Sequence, residues 1–363
     1  MVDQLGSEFD FRVVTADRDL GDLSAYVGVE VNSWNVCGRA QVFYRSPGPP
    51  GWSALLEQLA TIDYDLIYLN SLFGTDAALR PLLYRRLGRL LRRPVLLAPR
   101  GELNVGALQL KRLKKKTFLS ISRPLGVYSG LFWQGSSAVE ADRIALEMTA
   151  PHERIFVAPD LTGCATDITS GSAVRSNGHQ LHIVFLSRVS PMKNLRQALA
   201  VLAQVSRPVS FDIYGPIEDR TYWKECEVAI ASLPPHIVVR YGGEVVPADV
   251  EKTLSAYDLF FLPTLGENYG HVIREALSAG VPTLISDRTP WRGLAEKGAG
   301  ADIPLEQPEA FVAWIEAFAD LPVSQRAAMR VAARQLGDDP VVAATNLEAN
   351  RSMFHQILGS RAG

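Results

Sequence analysis

The chain has 363 residues, and this length favours two domains because single hydrophobic cores stop growing beyond about 250–300 residues. Apolar residues make up 47% and charged residues 21%, which excludes a disordered chain, and no segment approaches the roughly 18 uninterrupted apolar residues of a membrane span. The formal net charge of −2 excludes a uniformly basic or acidic protein. The first residues lack the cationic cluster and apolar run of a secretory signal, so we expect a cytoplasmic location.

Short apolar runs alternate with longer helical patterns through the first part of the chain. This alternation predicts a parallel sheet covered by helices on both faces. The runs expected to form its strands are residues 11–15, 66–69, 95–98, 130–133 and 155–157.

From 162 to 180 the chain becomes polar and rich in small residues, which is typical of a linker, and a second alternation then begins. Its strands are expected at residues 181–186, 209–214, 238–241, 259–262 and 283–286. The predicted fold class is therefore α/β, with two Rossmann-like doubly wound domains that face a cleft at the carboxyl ends of their strands. The expected boundaries are an N-terminal domain at 1–165, a linker at 166–180, a C-terminal domain at 181–344 and a last helix at 345–363 that crosses back to the first domain.

Residues 80–124 are strongly basic, with thirteen Lys or Arg side chains against one acid, Glu102. Leucines alternate with these cations, and a helix with leucines on one face and cations on the other can lie on anionic lipid. The alternative interpretation is the solvated face of two ordinary helices. Nucleic acid is less favoured, because no binding motif accompanies the charge.

The three cysteines, Cys37, Cys164 and Cys226, are odd in number and far apart. They predict neither a disulfide framework nor a zinc site, and we expect reduced, structural thiols.

The richest pattern follows the run at 259–262, where a short loop leads into helical spacing. A strand, a loop and a helix start place unpaired N–H groups at a helix N-terminus, which is a site for an anion such as a phosphate. Glu267 on the loop and Glu275 inside the helix could both accept hydrogen bonds from hydroxyl groups of one ligand. A nucleotide sugar has phosphate in the middle and polyols at either end, and fits this arrangement.

The pattern of Glu267, seven residues and Glu275, followed by Ala-Leu-Ser-Ala-Gly-Val-Pro, resembles the signature of family 4 retaining glycosyltransferases with the GT-B fold. The resemblance implies that Glu275 binds the nucleotide ribose and that Glu267 contacts the donor sugar. It also implies that the backbone around Asn268, Tyr269, Gly270 and His271 holds the diphosphate.

A second match, residues 185–194, resembles the Gly-Arg and Lys-Asn run of the same family, with Ser187 where glycine is usual. The resemblance implies that Arg188 and Lys193 stabilise the departing diphosphate in place of a metal ion. With Glu267 these residues form the predicted catalytic set.

Smaller matches agree in order. Tyr214 and Gly215 stand at a strand end, and Tyr241 and Gly242 stand where the family packs the nucleotide base.

The resemblance thins before residue 181. The expected strand ends of the N-terminal domain offer four candidates for the acceptor side, namely Asn70, Arg100, Glu102 and Ser136. Many relatives carry a histidine near Arg100, and this sequence has none there. Relatives also begin with a strand, a Gly-rich loop and a helix before the strand that matches 11–15, so the first strand is expected to be missing.

The resemblance implies transfer of a hexose from a nucleoside diphosphate sugar to a glycan or polyprenyl-linked acceptor with retention of configuration, and hence a place in cell-surface polysaccharide or glycolipid synthesis. No cofactor and no metal ion are expected, and the Asp-x-Asp triplets at 17–19 and 63–65 lie off the loop that a metal-bound diphosphate would need. The expected location is cytoplasmic and peripheral on the inner face of the membrane. Two alternatives remain open: a non-hydrolysing nucleotide-sugar epimerase, and a non-catalytic nucleotide-sugar-binding protein.

Overall fold

A computed structural model of the protein describes residues 1–19, 22–103, 112–161 and 180–360. These residues form two compact units. The first contains the described residues of 1–102, 113–162 and 344–363, and the second contains those of 103–112 and 163–343. Of the predicted linker, residues 166–179 lie outside the described residues, as does Cys164.

The core of the first unit is a four-stranded parallel sheet with the order β4-β5-β6-β7. Its central strand β5 is buried along its whole length, as expected for a continuous apolar run inside a parallel sheet. The strands are β4 (Ile67–Asn70), β5 (Val95–Ala98), β6 (Phe132–Gly135) and β7 (Ile155–Val157).

Helices connect and cover these strands. The last of them before β7 is capped at its start, because Ser137 Oγ accepts from Glu140 N, and the Glu140 carboxylate also accepts from Ser136 N at 2.8 Å. A π-helical turn, Thr75–Leu79, leads into α3, and a 3₁₀ turn, His152–Arg154, precedes β7. The helices are α1 (Val2–Leu5), α2 (Gly48–Leu59), α3 (Arg80–Arg86), α4 (Arg112–Ser122) and α5 (Ala138–Met148).

The strand predicted at 11–15 was expected in this sheet, and that expectation was wrong. It forms β1 (Phe11–Ala16) in a separate three-stranded sheet with β2 (Trp34–Cys37) and β3 (Ala40–Arg45), in the order β1-β3-β2. The physical reason is the hairpin of β2 and β3, whose two-residue turn begins with Gly38 at φ 59° and offers β1 a parallel partner. Both β2 and β3 were missed by the sequence analysis.

The second unit is built on a six-stranded parallel sheet with the order β10-β9-β8-β11-β12-β13. The order reverses between β8 and β11, and open α/β sheets bind ligands outside the carboxyl ends of their strands at such a switch point. The expected fold class, α/β with two doubly wound units, is confirmed. The strands are β8 (Leu181–Leu186), β9 (Val209–Tyr214), β10 (Ile237–Gly243), β11 (Leu259–Leu262), β12 (Thr283–Ser286) and β13 (Gly300–Ile303).

The core of this unit is one large cluster of buried apolar side chains that includes Phe185, Phe211, Phe260 and Phe261. Short 3₁₀ turns precede α6 and α8. The helices are α6 (Leu195–Leu202), α7 (Arg220–Ala231), α8 (Val250–Ser255), α9 (His271–Ser278), α10 (Pro308–Ala319) and α11 (Val323–Gly337).

The last helix, α12 (Pro340–Gly359), belongs to the first unit from Ala344 onward. Its Phe354 ring lies 5.3 Å from Phe9, and Met353 and Ile357 pack into the same cluster of buried side chains as Leu5 and Leu96. Asn350 is fully buried and donates to the carbonyl of Pro159 at 2.7 Å. The helix therefore completes the core of the first unit.

Two of the three cysteines lie in the described part of the chain and are free thiols, Cys37 exposed and Cys226 buried. Burial raises the pKa of the Cys226 thiol to about 11, which keeps it protonated and unreactive near neutral pH. Within the described residues, none of the helices is both long and apolar enough to cross a membrane.

Candidate functional site

The loop between β11 and α9 carries most of the predicted site. Strand β11 is fully buried, and the helix begins at His271. Gly270 is the residue before the helix and has φ 79°. A Cβ there would lie 2.9 Å from Ile273 Cδ1 and 3.4 Å from Trp291 Cδ1, so both the backbone conformation and the space demand glycine.

This loop is fixed to the loops that follow the two neighbouring strands, β8 and β12. Leu265 N donates to Met192 O at 2.8 Å, and Glu267 N donates to the carbonyl of Arg288 at 3.0 Å. Asn194 Nδ2 donates to the carbonyl of Pro263 at 2.9 Å. The ends of three adjacent strands at the switch point are thus held together by hydrogen bonds.

Lys193 and Glu267, two of the three predicted catalytic residues, form an ion pair in this region. Lys193 Nζ lies 2.7 Å and 2.9 Å from the two carboxylate oxygens, and the side chains are only 11% and 9% exposed. Lys193 ends a 3₁₀ turn, and Asn194 follows it in the left-handed conformation, which asparagine tolerates. A charge-assisted pair this well shielded from water holds both groups in one geometry.

Glu275 lies on the second turn of α9 and is half-buried. Burial raises the pKa of its carboxyl group, although His271 and Arg274 act in the opposite direction. Among the described residues no donor hydrogen-bonds to its carboxylate. Hydroxyl groups of a ligand could satisfy it.

Arg188, the third predicted catalytic residue, is not part of the Lys193–Glu267 ion pair. It pairs with Glu218, a carboxylate that the sequence analysis did not single out. Its Nη1 lies 3.0 Å from Glu218 Oε1, and both side chains are exposed. The backbone beside it is well fixed, since Val189 N donates to the carbonyl of Pro216 at 2.8 Å. Arg188 therefore has a fixed backbone and an exposed guanidinium that is paired with Glu218.

Ser187 and Gly215, both predicted to bind the donor, come together where β8 and β9 end. Ser187 N donates to the carbonyl of Tyr214 at 2.9 Å. Gly215 has φ 126°, and a Cβ there would lie 2.1 Å from the carbonyl oxygen of Ser187. Only glycine allows these two loops to approach so closely.

Tyr214, Tyr241 and Gly242 form the neighbouring wall at the ends of β9 and β10. A Cβ on Gly242 would lie 2.3 Å from Cε1 of the Tyr214 ring, and Tyr241 donates its hydroxyl to the carbonyl of Gly215 at 2.9 Å. Tyr257, which the sequence analysis missed, lies 3.1 Å from the Tyr214 hydroxyl. No local pattern links Tyr257 to this wall, because it precedes a different strand.

Trp291 is a second residue that the sequence analysis missed. Its Nε1 donates to the carbonyl of Tyr269 at 2.7 Å, and the Tyr269 ring lies between Trp291 at 6.0 Å and His271 at 5.0 Å. The buried Oδ1 of Asn268 has no hydrogen-bond donor within the described residues. These contacts set the path of the chain from the loop into α9.

The four candidates for the acceptor side lie in the first unit, and each has a hydrogen-bond partner there. The Glu102 carboxylate accepts from Ser71 Oγ at 2.9 Å and from the backbone N of Phe73 at 3.1 Å, and Ser136 Oγ donates to Glu140 at 3.1 Å. Both carboxylates thus satisfy backbone and hydroxyl donors at strand ends.

Arg100 joins several residues at the same edge of the sheet. Its Nε donates to Asn70 Oδ1 at 2.8 Å and its Nη2 donates to the Tyr68 hydroxyl at 2.7 Å, while Nη1 pairs with Asp160. Arg100 has φ 54°, a left-handed conformation that is uncommon outside glycine. Its network of partners accounts for a side chain held firmly at this edge.

Within the described residues, no group of three or more His, Cys, Asp or Glu side chains is arranged to hold a metal ion. In the two Asp-x-Asp triplets, Asp17 is buried against Arg18 and Asp63 pairs with Arg93.

A family model matches the part of the chain that carries the predicted donor site. Residues 172–336 match the family model described as glycosyl transferases group 1. Among curated protein sequences, none matches the chain significantly.

Solved structures resemble the chain over most of its length. The Anabaena protein Alr3699/HepE, solved in complex with UDP and glucose, has 18% identity and a TM-score of 0.69, covering 87% of this chain and 86% of its own. Sucrose-phosphate synthase from Thermosynechococcus elongatus has 15% identity and a TM-score of 0.66, covering 99% and 90%. WaaG, described as a glycosyltransferase involved in lipopolysaccharide biosynthesis, has 13% identity and a TM-score of 0.63, with 87% of each chain covered.

The likeness to these structures shows the GT-B fold that the sequence analysis expected. The match to the glycosyl transferases group 1 model, residues 172–336, falls within the second unit.

Proposed function

We propose that the protein transfers a hexose from a nucleoside diphosphate sugar to an acceptor hydroxyl with retention of anomeric configuration. The observation that carries the proposal is the shielded Lys193–Glu267 pair at the switch point of a group 1 sheet. Charged side chains are almost never buried unless they are paired, and open α/β sheets bind their ligands at such a switch point.

Each predicted residue has a role in this proposal. Glu267 orients the donor sugar through its hydroxyls, and Glu275 accepts from the ribose hydroxyls. Lys193 and Arg188 offset the charge that develops on the diphosphate as the glycosidic bond breaks, so no metal ion is required. The backbone from Asn268 to His271 supplies hydrogen-bond donors to the phosphates.

The walls of the site suggest where the rest of the donor lies. Ser187 and Gly215 flank the diphosphate, and Tyr214, Tyr241 and Gly242 contact the nucleotide. The structure of Alr3699/HepE with UDP and glucose supports uridine diphosphate as the first nucleotide to test. No cofactor is part of the proposed reaction.

The proposed acceptor is a glycan or a polyprenyl-linked sugar, which would place the enzyme in cell-surface polysaccharide or glycolipid synthesis. The likeness to WaaG supports this choice of pathway class. We propose that Asn70, Arg100, Glu102 and Ser136 act on the acceptor side, with Glu102 and Ser136 shaping the backbone there. The proposed location is cytoplasmic, against the inner face of the membrane.

Calorimetric titration of the protein with uridine, guanosine and thymidine diphosphates tests the donor site. One diphosphate should bind the wild type, and Glu275→Ala should lose at least about tenfold in affinity, because a carboxylate–hydroxyl hydrogen bond is worth about 1.5–3 kcal/mol. Glu309→Ala, an exposed glutamate on α10, is the matched control and should bind as the wild type does. Equal affinity of the wild type and Glu275→Ala would rule out the assigned site.

Incubation of the nucleotide sugar with and without acceptors then identifies the reaction. A product whose anomeric configuration, measured by NMR, equals that of the donor supports retention. An isomerised nucleotide sugar formed without acceptor would instead indicate an epimerase, and binding with no product under any condition would indicate a non-catalytic binding protein.

A further inference from the structure

Two helices of the first unit expose leucines in a regular pattern. On α3 and at its end, Leu83 and Leu87 are one turn apart and 52% and 62% exposed. On α4, Leu113 and Ile121 are two turns apart and hence on one face, and both are exposed, as is Leu125 beyond the helix. Single exposed leucines are ordinary, but a set this dense along one stretch of chain is not.

Arg86 connects the end of the first helix to the chain that follows the second. Its Nη1 donates to the carbonyl of Leu125 at 3.1 Å, and its Nη2 donates to the carbonyls of Leu125 and Gly126. The end of α3 is therefore fastened to the turn after α4. We call the resulting surface the basic-leucine face and define it by seven exposed side chains, Leu83, Arg86, Leu87, Arg89, Arg92, Ile121 and Leu125.

The core of the unit does not need this face. The inward side chains Leu82 and Leu119 are 4% exposed, and Phe118 packs edge-on against Phe73 with ring centroids 5.6 Å apart. The two helices are thus held from their inner sides. The exposed leucines are free to contact something outside the protein.

The charge of this surface is positive and is not cancelled by nearby acids. Glu102, the single acid of residues 80–124, faces inward, since its carboxylate accepts from Ser71 Oγ and from backbone N–H groups. Three other arginines of the stretch do have acidic partners, and these pairs are Arg80–Asp76, Arg93–Asp63 and Arg123–Glu147. In the described part of the chain, Arg86, Arg89 and Arg92 have no carboxylate partner.

Cations around aliphatic side chains match the chemistry of an anionic bilayer surface. Arginine binds lipid phosphates while leucine and isoleucine enter the acyl boundary. The exposed large apolar side chains described between 80 and 125 are all aliphatic, whereas single-stranded nucleic acid is bound by stacking on aromatic rings.

We propose that the basic-leucine face binds the surface of an anionic lipid bilayer. This inference deepens the proposed function, because it names the surface that would bring a polyprenyl-linked acceptor to the enzyme. Its physical basis is independent of the donor site, since the face lies wholly in the first unit.

Co-sedimentation of the full-length protein with vesicles tests the proposal. The wild type should bind vesicles of equal parts phosphatidylcholine and phosphatidylglycerol, and it should bind pure phosphatidylcholine vesicles at least about tenfold more weakly, because each surface cation contributes about 1 kcal/mol. Raising the salt concentration should release most of the bound protein.

Two double variants separate the contribution of charge to vesicle binding from the contribution of apolar contact. Arg89→Glu/Arg92→Glu and Leu87→Asp/Leu125→Asp should each weaken binding to the anionic vesicles by about tenfold or more. The matched controls, Arg220→Glu/Lys224→Glu and Val228→Asp/Val331→Asp, change exposed residues of the second unit and should bind as the wild type does.

Three results would overturn the proposal: equal binding to neutral and anionic vesicles, wild-type binding by both face variants, or preference for an RNA oligonucleotide over vesicles. The same protein preparations are titrated with uridine diphosphate. Variants that lose vesicle binding should keep the diphosphate affinity of the wild type, so a failure of the face and a failure of the donor site give different results.

Discussion

Lys193 Nζ lies within 2.9 Å of both carboxylate oxygens of Glu267, although the two residues stand 74 positions apart. Nine-tenths of each side chain is shielded from water. Removal of one partner from such a pair leaves the other charge buried without compensation, and this costs more than the loss of the pair itself.

We therefore expect Lys193→Met and Glu267→Gln each to lower the free energy of unfolding by about 3 kcal/mol, and the double variant to recover much of that loss. Urea unfolding of all four proteins measures the coupling. Neither single variant nor the double variant should transfer sugar. If the two losses simply add, the pair contributes nothing beyond its separate side chains.

The burial of Glu275 predicts a pH dependence of both stability and binding. Because the folded-state pKa of this carboxyl lies above its unfolded value, the native state binds the proton more readily, and the stability contributed by protonation is lost as pH rises through the folded pKa. Glu275→Gln should remove this trend and should be at least as stable as the wild type at neutral pH.

Donor binding should change with pH in the opposite direction. The ribose hydroxyls require the ionised carboxylate, so diphosphate affinity should fall as pH is lowered through the raised pKa of Glu275. In Glu275→Gln, affinity should be low and nearly independent of pH over that range. A wild-type profile as flat as that of the variant would contradict the assignment.

Gly270 should be among the least replaceable positions of the second unit. Gly270→Ala places a Cβ 2.9 Å from Ile273 in a left-handed conformation, and we expect a loss of about 2–4 kcal/mol in the free energy of unfolding. Gly298→Ala is the control, because Gly298 has φ 65° and its nearest neighbour would be 4.0 Å away. Gly298→Ala should lower the free energy of unfolding only by the cost of the left-handed backbone conformation, about 1 kcal/mol. Equal losses in urea unfolding would show that space at Gly270 is not limiting.

Strand β1 should make the protein prone to self-association. It lies at the edge of its three-stranded sheet, and Val13 and Val14 are 37% and 42% exposed. Unprotected edge strands pair with other chains, and a lysine on the edge prevents this. We expect Val14→Lys to reduce the rise of light scattering with concentration, whereas Val228→Lys on α7 should leave it unchanged. Identical scattering from both variants would exclude the edge as the cause.

The sequence predicted the strands that consist of apolar residues throughout. The runs at 95–98 and 259–262 are continuously apolar, as expected for strands inside a covered parallel sheet, and both appear where expected. Strand β13, Gly300–Ile303, was missed because glycine, alanine and aspartate carry no strand signal. The hairpin of β2 and β3 was missed although Gly38 with its following residue is an ordinary turn signal.

The residues of the candidate site also differ in whether a local sequence pattern predicts them. Glu267, Gly270 and Glu275 could be predicted because they lie within one local strand–loop–helix pattern. The contact of Lys193 with Glu267 could be implied only by resemblance, since it depends on the register of two strands. Glu218 and Tyr257 were missed for this reason, because each reaches its partner from a different strand end.

The last helix makes the first unit discontinuous in the sequence. Phe354 and Ile357 complete the cluster of buried side chains around Leu5 and Leu96, yet they lie about 190 residues beyond the end of the preceding segment of that unit, at residue 162. A fragment that stops near residue 162 would expose this apolar surface and should be unstable. Chimeras that exchange the first unit between proteins of this fold must therefore transplant two pieces of chain, the front portion and its distant tail, as a matched set.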